Sequence, residues 1–124
     1  MRQTIHTDQA PQAIGPYVQG VVLADLVFTA GQIALRPDGT LVEGDIAEQT
    51  HQVLKNLKAI VEAASSSLDR VLKTTVFLTD LNDFAAMNEV YASYFPGNKP
   101  ARTTVQVSRL PRGSKIEVEC VAHR

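Results

Sequence analysis

The sequence predicts an α+β fold, a sheet of about six strands with two helices on one of its faces. Three observations carry that prediction. Residues 46–64 and 83–95 repeat apolar side chains at helical spacing. Segments rich in β-branched residues lie before, between and after them. The resulting order, strands, helix, strand, helix, two strands, suits a sheet covered on one side.

Taken in order, Thr4 and Ile5 read as a short edge strand, and residues 18–23 and 26–30 flank the tight Ala24-Asp25 step as a hairpin. In the first helix Ile46, Thr50, Val53, Leu57, Ile60, Val61 and Ala64 fall on one stripe. Asp45 followed by Glu48 supplies a capping box, the Asp accepting an orphan amide and the Glu reaching back. Ser65 to Ser67 read as the turn that follows, and residues 70–79 as a strand. The second helix places Phe84, Met87, Tyr91 and Tyr94 on its apolar side and is stopped by Pro96 and Gly97. Residues 101–108 and 115–122 complete the sheet.

The faces of this sheet carry a further expectation. Side chains alternate along a strand, so Leu72, Val76 and Leu78 lie on one side while Val71 and Phe77 lie on the other. Both sides are partly apolar, and two helices cover only one. An uncovered apolar face marks an interface with another chain, so a homo-oligomer is expected.

Composition excludes several classes. The 124 residues suit one domain, 1–124, and 44% hydrophobic with 20% charged residues is an ordinary globular composition. Twelve basic against thirteen acidic residues give a net charge of -1 with no long block of either sign, which argues against nucleic acid or a membrane surface as partner. Cys120 is the single cysteine, so there is no internal disulfide and no Cys-rich zinc site, in keeping with a reducing compartment. The amino-terminal segment lacks a signal-peptide core and no stretch approaches the ~20 apolar residues of a membrane span, so a cytoplasmic location is expected. His6, His51 and His123 are scattered without ligand spacing, so no metal site is expected. Asp80, Asn82 and Phe84 only begin like a calcium loop. There is no phosphate-binding glycine loop and no nucleophile elbow. Chemistry must then use Arg, Glu, hydroxyls and backbone amides.

The strand after Pro100 alternates, Thr103, Val105 and Val107 pointing one way and Arg102, Thr104 and Gln106 the other. In the last strand Ile116, Val118, Cys120 and Ala122 form the apolar side, leaving Glu117 and Glu119 opposite. This pattern predicts a polar face carrying Arg102 and both carboxylates. It is either a solvated face with ion pairs worth ~0–1 kcal/mol each, or a clamp in which Arg102 holds a small carboxylate through paired hydrogen bonds and a glutamate activates water. A simple hairpin about the LPRG turn puts Glu119 nearer Arg102 than Glu117. Asn88 is either a buried structural hydrogen-bonder or a group aimed at a pocket. Gly31 either ends its strand or brings a backbone N–H close to a ligand. Tyr17, after Gly15-Pro16, either packs or offers its hydroxyl.

The stretches APQAIGPYVQG, FTAGQIAL, VLKTTVFLTDLNDFAAMNEVYASYF and PARTTVQVSRLPRGSKIEVECVA resemble, in order and spacing, the RidA/YjgF/YER family of reactive-intermediate imine deaminases. The resemblance implies a chorismate-mutase-like α+β fold assembled as a homotrimer, with ligand clefts between neighbouring subunits. It implies hydrolysis of 2-imino acids to 2-keto acids and ammonium without a cofactor. By this resemblance Arg102 clamps the substrate carboxylate and Glu117, rather than Glu119, orients the attacking water, while Tyr17, Asn88 and the Gly31 backbone complete the cleft. The long 108–115 connection lets the last two strands be offset or non-adjacent. Two positions depart from the common pattern: Ala30 stands where many members have Ser, and Thr104 where many have Cys. No thiol nucleophile is available there, although Thr104 still donates through its hydroxyl and amide. The departures motivate an alternative, a metabolite-binding module without turnover. A ribonuclease or chaperone-like activity is also evoked by the family, and the lack of a basic stripe argues against nucleic acid.

Overall fold

In the computed structural model, which describes residues 1–124, the apolar stripe of the first periodic segment becomes helix α1, Ile46–Ala63. Asp45 caps it, Oδ1 accepting the Glu48 N–H at 2.9 Å. Only this half of the capping box forms, because the Glu48 side chain lies against Gly44 instead of reaching back. Helix α1 ends where Ser65 takes a left-handed φ of 65°; the Ser66 N–H reaches the Val61 carbonyl at 2.9 Å and the Ser65 N–H the Glu62 carbonyl at 3.0 Å, a Schellman closure. Helix α2, Phe84–Tyr94, follows a short 3-10 turn, Leu81–Asp83, capped by Asp80. No helix is long and apolar enough to cross a membrane.

Seven strands, β1 (Arg2–Ile5), β2 (Gly20–Leu23), β3 (Leu26–Thr29), β4 (Gln32–Ile33), β5 (Val71–Leu78), β6 (Ala101–Gln106) and β7 (Ile116–His123), form one mixed sheet. Its order is β1-β2-β3-β7-β5-β6, with β4 also on β7. All pairs are antiparallel except β5 with β6. That parallel pair follows from chain economy: α2 is the crossover that returns the chain to run beside β5 in the same sense. The chain then passes over the end of β5, tied by Val107 N–H to the Leu78 carbonyl at 2.8 Å and Thr79 N–H to the Lys115 carbonyl at 3.1 Å. Strand β7 therefore pairs on the far side of β5, and the last two strands are non-adjacent.

The core lies between one sheet face and α1 with α2. Leu54, Leu57, Ile60 and Val61 meet Val76 and Leu78 of β5 and the predicted apolar side of β7, Ile116, Val118, Cys120 and Ala122, all buried. Fully burying one such side chain is worth ~1.5–3 kcal/mol. At the start of β5 the alternation slips. A register irregularity between Val71 and Lys73 buries Val71 and exposes Leu72, the reverse of the expected assignment. The other sheet face carries no element of this chain. Register places Val21, Phe28, Val121 and Lys73 in one row across it and Val105, Phe77 and Glu117 in another.

Candidate functional site

Arg102 owes its position to the parallel pairing of β6 with β5. Its Cα partner is Thr74, whose antiparallel partner is Cys120, and both of these are buried beneath the helices. Partners across a ladder share a face, so Arg102 lies on the helix-covered side, at the edge strand. Its guanidinium stands over two rings of α2, 4.8 Å from the centroid of Tyr91 and 5.4 Å from that of Phe84. Such stacking, worth ~0.5–2 kcal/mol, orients the planar fork while leaving its N–H groups free. Tyr91 is itself held by a 2.7 Å hydrogen bond between its hydroxyl and that of Thr74. Burial raises the Tyr91 pKa, outweighing the opposing Thr74 bond and Arg102 charge, so the hydroxyl stays protonated at neutral pH.

Arg102 lines a cavity of about 460 Å³ with Asn88, Tyr91, Phe95, Lys99 and Pro100. Asn88, half-buried, thus faces a pocket. Two residues along β6, the Thr104 Oγ1 is buried and has no hydrogen-bond partner within the chain. An unmade bond at a buried hydroxyl costs ~1–3 kcal/mol.

Glu117 lies elsewhere. Its Cα partners are Phe77 on β5 and Ile33 on β4, which puts it on the open face. The expectation that Arg102, Glu117 and Glu119 share one polar face is therefore corrected: within a chain the arginine and the two carboxylates lie on opposite faces. The cause is the interposed β5. Alternation within each strand is as expected, but the parallel register matches Arg102 with Thr74 and the antiparallel register matches Thr75 with Glu119.

The carboxylate of Glu117 is half-buried against Gly31, where a Cβ would come within 2.8 Å of its Cδ. A side chain at position 31 would displace the carboxylate from this position. Burial first, and the neighbouring Glu119 charge second, raise the Glu117 pKa above the ordinary carboxylate value. Gly31 joins β3 to β4, and the preceding Ala30 donates its N–H to the Gln19 carbonyl at 2.8 Å. Gln19 in turn anchors the amino-terminal loop, its amide bonding the Thr7 carbonyl at 3.0 Å and the Pro11 carbonyl at 2.8 Å. That loop presents Tyr17, 54% exposed, after Gly15 with φ 132°. Tyr17 lines a groove of about 230 Å³ with His6 and Gln12, apart from the Arg102 cavity.

The expected site residues thus fall into two groups within one chain: Arg102 with Asn88 and Thr104 by α2, and Glu117 with Gly31 and Ala30 on the open face. Sequence reasoning missed the aromatic bed of Arg102, because Phe84 and Tyr91 read as ordinary members of an apolar helical stripe. It also missed Lys99. Cys120 contributes no nucleophile: it points into the core, and burial pushes its thiol up to about 11.

Comparison with known proteins gives this geometry a context. A sequence model of the family described as Endoribonuclease L-PSP matches residues 7–124. The chain is 54% identical to a RutC family protein of Pyrococcus horikoshii over 125 residues, covering 100% of this chain and 99% of that one. It is 50% identical to the 2-iminobutanoate/2-iminopropanoate deaminase of Escherichia coli over 127 residues, covering 100% and 99%. The crystal structure of Escherichia coli TdcF with bound serine superposes with a TM-score of 0.94 at 49% identity, covering 98% of each chain. The chain is therefore a member of the RidA/YjgF family, in which relatives of about half-identical sequence carry the name of imine deaminases.

Proposed function

We infer that the protein hydrolyses small 2-imino acids to 2-keto acids and ammonium, in clefts where two copies meet. One observation carries this reading: an arginine without an acidic partner, held by aromatic rings on one face, and a half-buried carboxylate of raised pKa on the other. These are complementary halves that no single chain joins. A copy packed on the open face and against the β6 edge brings its Glu117 toward the first copy's Arg102. The name of the Escherichia coli deaminase and the serine bound by TdcF support a small amino-acid-like ligand.

In this mechanism the substrate carboxylate pairs with Arg102 through charge-assisted hydrogen bonds. Water adds to carbon two of the iminium while Glu117 takes one of its protons, giving a carbinolamine. Proton transfer from Glu117 to the nitrogen makes an amine leaving group. The C–N bond then breaks with loss of ammonia as the hydroxyl becomes the keto oxygen, and the proton released by that hydroxyl converts ammonia to ammonium. Overall, iminium and water yield keto acid and ammonium. A base whose pKa lies above the ordinary carboxylate value takes the water proton more readily.

Glu117→Gln is expected to lower kcat for 2-iminopropanoate about 100 to 10,000-fold with the fold retained. Arg102→Ala is expected to raise KM as well. Parental rates in both variants, followed as keto-acid release, contradict the assignment. Ligand binding without turnover remains the second reading, favoured by Ala30 and Thr104 at positions where Ser and Cys are common; calorimetric binding of 2-oxobutanoate with no acceleration of imine hydrolysis selects it.

A further inference from the structure

The Arg102 cavity contains a second cation that the imine hydrolysis described above does not use. Lys99 lines it together with Arg102. Its ammonium donates to the carbonyl of Phe95, the residue that closes α2, at 3.2 Å. An ammonium has three donors, so two remain. The simple account of this lysine is a C-terminal helix cap, which needs only that one bond.

The surroundings ask for more than a cap. None of the residues lining the cavity is acidic. The two ion pairs of the chain, His6–Asp8 and Lys58–Glu62, involve neither Lys99 nor Arg102. Asp69, which reaches the same loop, is committed to Asn98, accepting its backbone N–H at 3.2 Å and its side-chain amide at 3.3 Å. Two positive charges without an acidic partner therefore line one open cavity, Arg102 half-buried and Lys99 exposed, partly walled by the rings of Tyr91 and Phe95. A monocarboxylate neutralises one of them. Lys99 and Arg102 are three residues apart, their Cα atoms no more than ~11 Å from each other, and Pro100 between them stiffens the link. Two long cationic side chains lining one cavity over that span suit a ligand with a carboxylate at each end of a four- or five-carbon chain.

The geometry points to Lys99 as a specificity residue that receives the distal carboxylate of 2-imino dicarboxylates while Arg102 holds the proximal one. This inference rests on the deaminase reading and deepens it. The hydrolytic step is the one given above, and Lys99 takes no part in its proton transfers.

The test compares kcat/KM for 2-iminosuccinate and 2-iminopropanoate, each released in place by a flavin oxidase from aspartate or alanine. Lys99→Gln is expected to lower the ratio of the first to the second about tenfold or more, the loss of one charge-assisted hydrogen bond, and Lys99→Arg to restore most of it. An unmoved ratio in Lys99→Gln overturns the inference, since a mere cap alters stability and not discrimination. On the unmodified protein, calorimetry is expected to find 2-oxoglutarate bound more tightly than 2-oxobutanoate; equal or weaker binding overturns it independently of any variant. Hydrolysis of 2-iminopropanoate without hydrolysis of 2-iminosuccinate removes this inference alone. Failure to hydrolyse either imine removes the deaminase reading beneath it.

Discussion

Glu117 is costly to fold around. Half-buried beside Gly31 and near Glu119, it has a pKa above its unfolded value. Its favourable share of stability is present while the group is protonated in both states, below the unfolded pKa, and is lost as pH rises through the folded one. Glu117→Gln, neutral throughout, is therefore expected to gain thermal stability over the parent as pH is raised from about 4 to about 7. Melting curves that run parallel across that range contradict the burial argument.

Among the elements, α1 tests how far local chemistry governs local structure. Its closure forces Ser65 to a φ of 65°, a conformation that costs an L-residue ~1–2 kcal/mol and glycine almost nothing. Ser65→Gly is accordingly expected to stabilise the protein by about 0.5–1 kcal/mol once the greater freedom of glycine in the unfolded chain is set against the relief. Denaturant midpoints measure this directly, and a destabilisation contradicts the closure described. Helix α1 was legible because its stripe, its Asp45 cap and its end are all encoded within a few residues of where they act. Strand pairing is encoded differently. That β5 intervenes between β6 and β7 depends on the α2 crossover and on the passage of residues 107–115 over the end of β5, and alternation within a strand says nothing of its neighbours. The face of Arg102 was misassigned for that reason. Strand β4, two residues long, offers no pattern to read, and the irregularity that exchanges Val71 and Leu72 arises only in the pairing with β7.

At the scale of the whole molecule, the open sheet face is where self-association is expected. Phe28 is 41% exposed in the isolated chain and lies in register with Val21 and Val121. An apolar row of this kind is expected to be covered by other copies, in keeping with the uncovered face expected from the alternation in β5. Phe28→Asp is expected to shift the sedimenting species from an oligomer toward the monomer and to abolish imine hydrolysis, with the far-ultraviolet spectrum unchanged. A fully active monomer would separate the site from the assembly.

The proposed site joins Arg102 from one copy with Glu117 from another, and complementation measures that directly. Arg102→Ala and Glu117→Gln subunits, each nearly inactive alone, are co-assembled in equal amounts, and the mixed oligomers are verified by native mass spectrometry. A site needs an intact arginine from one chain and an intact glutamate from its neighbour, so random mixing is expected to restore about a quarter of the parental rate. Mixed oligomers no more active than the two separate variants contradict the shared cleft.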